Sequence, residues 1–249
     1  MNILMMSIDS NILQKESDAA LRMKMYGRAC DELHIIVFTH IGCKKQSPIK
    51  ISTNVFAYPT NTHFKILYPY DFYRMAKCIL SESQGKKWLV TSQDALTHIV
   101  GLLTSYFYNI PLEVQVHTDF LSPFFSRESV KNYLRSKIYS FSVQHADCVR
   151  VVSERIKREI IFKFPKLKDR IYILPVFVDI SMIQKIPVSI NLHAHYRRFD
   201  FIILMVSRIT KEKNIPMALV AFQKIAQKYP KTLLLIVGDG PEKNNLGQI

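Results

Sequence analysis

The sequence predicts an α/β chain: a doubly wound parallel-sheet domain in residues 1–180, a linker or crossover in 181–200, and the start of a second α/β unit in 201–249. Three observations predict it. Short apolar runs alternate with segments of helical period along most of the chain, the order that gives a parallel sheet with helices on both faces. No two runs are joined by a hairpin turn such as Asn-Gly. The alternation breaks at 181–200, around Pro187 and the stretch His193 to Arg198, then restarts at Phe201.

The elements follow in order. Residues 2–7 form an apolar strand, and 16–30 a helix with Ala20, Leu21, Met25 and Ala29 near the helical period. Residues 34–38 form a second strand. The polar stretch 41–61 holds one weak strand at 55–57. An amphipathic helix over 70–83 carries Phe72, Met75, Ala76, Ile79 and Leu80 on one side. A brief strand at 88–90 precedes an almost wholly apolar helix over 96–108, a composition that predicts burial. Pro111 opens a strand over 112–117. A helix over 130–143 is basic on its exposed side, and Ser153 is a natural N-cap for the helix 154–164 that follows the strand 148–152. A strand at 171–174 ends this half. The second unit has strands at 201–206 and 232–237 around a helix at 215–228, and is too small to cover both faces of its own sheet. The chain is therefore expected to be truncated.

Composition limits the function classes. The 249 residues are 48% hydrophobic and 22% charged, which fits a folded chain rather than a disordered one. The net charge of +14 favours anionic partners. Aromatic residues lie in apolar runs rather than among the cations, so no stacking platform for nucleic acid is indicated. The four cysteines, Cys30, Cys43, Cys78 and Cys148, share no C-x-x-C spacing, so neither a zinc site nor a redox pair is expected. No secretory leader and no apolar stretch long enough to span a membrane are found. The expectation is a cytoplasmic chain, soluble or peripheral to a membrane.

Two loops of the second unit could carry chemistry. The strand 201–206 runs into Ser207, Arg208 and the series to Lys213 and Asn214. Ligands of open α/β sheets sit beyond the carboxyl ends of strands. Arg208 can grip a phosphate bidentately, Lys213 adds a point charge, and the next helix aims amide groups at an anion. A solvated basic loop is the alternative. The strand 232–237 ends in Gly238-Asp239-Gly240-Pro241-Glu242, which on its own reads equally as an ordinary strand-to-helix turn.

Together these loops resemble the donor-domain entry of the family-four (group 1) retaining glycosyltransferases, which have the GT-B fold. Glu212-Lys213-Asn214, the Ala221-Phe222 pair with Ile225, and Val237-Gly238-Asp239-Gly240-Pro241 carry the resemblance over nearly all of 201–246. In the first domain, Leu112 to Asp119, Asp147 to Lys157 and Leu174 to Asp179 are similar to family segments. One departure is Ser7-Ile8-Asp9-Ser10-Asn11, where the family often has a Gly-Gly loop.

The resemblance implies a Rossmann-like donor domain at 201–249 and transfer of a sugar from a nucleotide-diphosphate donor to an acceptor hydroxyl with retention. It implies a catalytic His117 against the donor sugar, although a structural histidine is the plain alternative. It further implies Arg208 and Lys213 on the donor diphosphate, Gly238 and Gly240 as a donor loop, and Asp119 on the acceptor side. No metal and no other cofactor are expected. The partners implied are the nucleotide sugar and a glycan or lipid-linked acceptor, with no nucleic acid, in cell-surface polysaccharide or glycolipid biosynthesis. The basic helix bearing Arg127, Lys131, Arg135 and Lys137, with the cations from Arg155 to Arg170, is either a solvated face or an attraction to anionic membrane on its inner side. The family's two glutamates seven residues apart are absent between 201 and 249, so the chain is expected to be an N-terminal piece. A sugar-nucleotide epimerase of the same fold and a non-catalytic acceptor-type module are the rival readings.

Overall fold

A computed structural model of the chain describes residues 1–41, 45–82, 85–176, 178 and 180–246. Cys43 and Asp179, and Ser83 and Phe177 of the segments 70–83 and 174–179 described above, lie outside the described residues. The chain divides into two compact units, Met1–Phe177 and Val178–Ile249.

The first unit is an eight-stranded sheet in the order β3-β4-β2-β1-β5-β6-β7-β8. Its elements run β1 (Asn2–Ser7), α1 (Asp18–Gly27), β2 (Leu33–Val37), β3 (Ile49–Ser52), β4 (Val55–Pro59), α2 (Tyr68–Ser81), β5 (Trp88–Ser92), α3 (Ala95–Tyr108), β6 (Leu112–Val116), α4 (Pro123–Glu128), α5 (Val130–His145), β7 (Cys148–Val151), α6 (Glu154–Lys163) and β8 (Ile171–Ile173). All strand pairs are parallel except β3 with β4. This hairpin corrects the expectation of none. Its turn is Thr53-Asn54, and Asn54 fixes it by donating from Nδ2 to the carbonyls of Gly27 (2.7 Å), Cys30 (3.1 Å) and Asp31 (3.1 Å).

Alternation along each strand sends side chains to two faces. Leu4, Met6, Val90, Leu112, Val114, Val116, Val149 and Val151 face one core with residues of α2, α3, α5 and α6. Met5, Leu33, Ile35, Val37, Val55 and Ala57 face a second core with Ala19 and Met23 of α1. Helix starts are set locally. Asp94 and Thr97 form a reciprocal capping box on α3, and Ser17 and Ser153 cap α1 and α6. Helix α3 is not wholly buried as its composition predicts. It buries Ala95, Val100, Gly101 and Thr104 but leaves Leu103, Tyr106 and Phe107 in solvent.

The second unit contains α7 (Ile180–Lys185), α8 (Leu192–His195), β9 (Phe201–Val206), α9 (Ile215–Lys228), β10 (Thr232–Val237) and α10 (Lys243–Leu246). The stretch 181–200, expected as a linker, thus carries two short helices and groups with the second unit. Strands β9 and β10 pair in parallel from Phe201↔Thr232 to Val206↔Val237, with α9 against β10.

Candidate active site

In the first unit the chain reverses direction across the sheet between β1 and β5, the kind of switch point where open α/β sheets bind ligands. Ser7 ends β1 and its Oγ donates to Gln93 Oε1, just past β5, at 3.2 Å. The loop after β1 lacks the family's glycines and is closed by its own side chains instead. The Asp9 amide donates to Ser7 Oγ at 3.1 Å, Asp9 Oδ1 accepts from the Asn11 amide at 3.1 Å, and Arg22 of α1 lies 3.9 Å from Asp9.

His117 follows β6 at the same edge. Leu112, Val114 and Val116 point into the core, so by alternation Glu113, Gln115 and His117 share the opposite side. The His117 ring keeps solvent contact. Its pKa is lowered by the protein around it and then by Arg150 and Arg22, against a smaller raising effect of Glu113, so the imidazole is neutral at physiological pH. Asp119 lies two residues on and is ion-paired with Arg155 at the start of α6. Its carboxylate already has a partner, and a substrate hydroxyl would share it with that guanidinium.

Behind His117 lies a set of polar groups that the sequence did not single out. Thr91 Oγ1 donates to Glu113 Oε1 at 2.7 Å, Gln115 Nε2 donates to Thr91 Oγ1 at 2.9 Å and to Glu113 Oε1 at 2.7 Å, and Arg150 Nη1 donates to Gln115 Oε1 at 3.1 Å. The Tyr172 hydroxyl donates to the other Glu113 oxygen. Desolvation, then this carboxylate, raises the Tyr172 pKa. The available signal was the arginine inside the apolar strand Cys148–Val151 and the polar residues alternating along β6.

In the second unit the remaining predicted residues come together at one edge. Arg208 lies past β9, and Lys213 ends a short 3-10 turn, Lys211–Lys213. Both face Glu212, with Arg208 Nη2 at 3.9 Å and Lys213 Nζ at 3.5 Å from its oxygens. The Gly238–Gly240 loop is zipped onto this one through the backbone. Ser207 N donates to Val237 O at 3.1 Å, Ile209 N to Asp239 O at 2.9 Å and Glu242 N to Ile209 O at 3.2 Å. A Cβ on Gly238 would lie 1.9 Å from Ser207 O, and one on Gly240 2.2 Å from Ile209 O. Only glycine allows that approach. Asn214 takes the left-handed conformation at φ 45° and leads into α9, whose first turn has no side-chain cap. Its leading amides, the two cations and the glycine loop therefore lie at one strand end, an arrangement suited to an anion. Among the described residues no three His, Cys, Asp or Glu side chains are grouped as a metal site requires.

Residues 26–182 match the model of Glycosyltransferase Family 4, and 196–249 match that of Glycosyl transferases group 1. The chain belongs to this glycosyltransferase family. Proteins similar to it in sequence include an uncharacterised glycosyltransferase of Methanocaldococcus jannaschii, 30% identical over 129 residues, 49% of this chain and 32% of that protein. The alpha-monoglucosyldiacylglycerol synthase of Acholeplasma laidlawii is 38% identical over 53 residues, 21% of this chain and 13% of that protein. Among solved structures, Anabaena HepE in complex with UDP and glucose superposes with a TM-score of 0.61 at 15% identity, over 100% of this chain and 64% of that one. An E. coli trehalose-6-phosphate structure bound with UDP-2-fluoro glucose gives 0.67 at 12% identity, over 98% and 66%. The glycosyltransferase described here thus has the GT-B fold class and spans less than two thirds of the length of these relatives.

Proposed function

We propose that this glycosyltransferase acts in moving a sugar from a nucleotide-diphosphate donor to an acceptor hydroxyl, with retention at the anomeric carbon and without a metal. The observation that carries the reading is the edge of the second unit, where Arg208 and Lys213 stand beside the zipped glycine loop and the uncapped start of α9. When the bond between the anomeric carbon and the diphosphate oxygen breaks, the diphosphate keeps the electron pair. Fixed cations and amides offset that growing charge without reorganising. HepE in complex with UDP-glucose supports a uridine diphosphate as the first donor to test. His117, held neutral, serves as a hydrogen-bonding group toward the donor sugar, and Asp119 with Arg155 lies on the acceptor side.

The acceptor is proposed to be a glycan or a lipid-linked molecule at the cytoplasmic face of a membrane, in cell-surface polysaccharide or glycolipid synthesis. Support comes from α4 and α5. Val130, Leu134 and Phe141 fall on one side of α5 and are all exposed, Phe124 of α4 is 87% exposed, and Lys131, Arg135, Lys137 and Arg127 flank them. Apolar side chains bordered by cations suit an anionic bilayer surface. No helix among the described residues is long and apolar enough to cross a membrane.

The donor reading is tested by calorimetric titration with UDP. Arg208→Ala is expected to weaken binding about 10- to 100-fold, the loss of a charge-assisted phosphate contact. Unchanged affinity in that variant means the diphosphate lies elsewhere.

A further inference from the structure

Arg150 stands in the middle of β7 and is 5% exposed. Its guanidinium cannot shed its charge, and burying it is costly unless its donors are matched and a countercharge is near. Three oxygens meet it: Gln115 Oε1 at 3.1 Å, the Leu174 carbonyl at 3.2 Å and the Pro175 carbonyl at 3.5 Å. None of these carries a formal charge. The countercharge is Glu113, reached through the Gln115 amide, which accepts from Arg150 at one end and donates to Glu113 at the other. Flipping that amide would set its carbonyl against the carboxylate and its NH2 against the guanidinium, so the network admits one orientation.

The two backbone carbonyls are those of the stretch by which the chain leaves the first unit, whose boundary follows at 177. Gln115 is on β6, two residues before His117. We propose that Arg150 is a positioning residue that locks the end of β6, and with it His117, to the exit stretch Leu174–Pro175. A single fork bonded to both elements fixes their separation more tightly than strand pairing alone, because β8 pairs with β7 only as far as Ile173 and one amide bond, Leu174 N to Val151 O at 2.9 Å, continues it. That this matters for sugar transfer rests on the function proposed above; the lock itself does not.

The charged groups acting on His117 are Arg150, Arg22 of α1 and Glu113 on its own strand; His98 of α3, itself pushed down by burial, feels His117 rather than the reverse. Removing Arg150 removes a cation from this set, so the midpoint of His117 rises. The test uses this chain with its histidines 13C-labelled, the His117 signal assigned by its loss in His117→Gln. In Arg150→Met the His117 midpoint is expected to move up, and thermolysin cleavage before the exposed Val176 and Val178 to quicken on the order of tenfold as the exit stretch opens. Arg150→Lys keeps the charge but not the fork, so its midpoint stays near the wild type while cleavage still quickens. A folded Arg150→Met chain with both readouts unchanged overturns the proposal. Should that variant not fold, Gln115→Met cuts the link with the charge in place; an unmoved His117 chemical shift there overturns it equally. Loss of UDP binding in Arg208→Ala with an intact Arg150 lock, or the reverse, separates this inference from the functional one.

Discussion

Single side chains in this molecule are governed by what the strands do to them. His117 is legible as a strand-end histidine because β6 alternates cleanly, but its neutral state is not, since Arg150 is 33 positions along the chain and comes near only through the pairing of β6 with β7. Asp119 is legible as a polar group at the same edge, whereas its pairing with Arg155 depends on where α6 begins. His98 is fully buried on α3 with its ring edge-on to Tyr139, centroids 4.9 Å apart. Burial pushes its pKa down from 6.5 to about 3. The unfolded chain therefore binds a proton that the folded chain refuses between those values. Stability is full above about pH 6.5 and falls as the pH drops toward 3, by up to about 1.4 kcal/mol per pH unit for one such group. His117, also lowered, adds in the same direction. Urea denaturation at stepped pH is expected to show a shallower acid slope in His98→Gln than in the wild type; equal slopes would assign the acid loss to other groups.

At the scale of elements, the strongly apolar six-residue runs were readable to the residue: β1, β9 and β10 begin and end where composition puts them. The hairpin of β3 and β4 was not. Its turn is Thr53-Asn54 rather than Asn-Gly, and β3 is four residues long, with no residue of it fully buried. What holds it is the reach of Asn54 to three carbonyls at the end of α1 and beyond, 23 to 27 positions away, which no local pattern reveals. Asn54→Ala is expected to lower stability by about 1–2 kcal/mol, read as a shift of the urea midpoint at constant slope. A change within a few tenths of a kcal/mol would mean that water replaces the amide. The exposed side of α3 was misread for a related reason. Composition reports how apolar a helix is, not how many of its sides find a neighbour.

For the whole molecule, alternation of strand and helix was enough to name the class; the two compact units meet at 177/178. The family was legible because about 45 residues near the far end place two loops in a fixed order, and the structure brings those loops together. The surplus of 14 positive charges could be counted from composition, but the exposed apolar stripe it borders on α5 could not. On the proposed membrane role, flotation with vesicles rich in anionic lipid is expected to carry the chain up, with recovery falling as salt rises. Leu134→Asp together with Phe124→Asp is expected to reduce recovery at constant salt. Equal recovery on neutral vesicles would sink the electrostatic part of that reading.

The zipped edge of the second unit separates scaffold from reader. Its shape is written in main-chain atoms, through bonds that any residue but proline at 207 and 209 can supply, and through two positions, 238 and 240, where a methyl group is already too much. The Arg208 side chain, by contrast, is exposed on that frame, whereas Asp239 turns back onto it, its Oδ1 accepting from the Gly240 amide at 2.9 Å. A library that keeps both glycines and Asp239 and varies 208 would thus change the charge this edge offers an anion and leave its backbone intact.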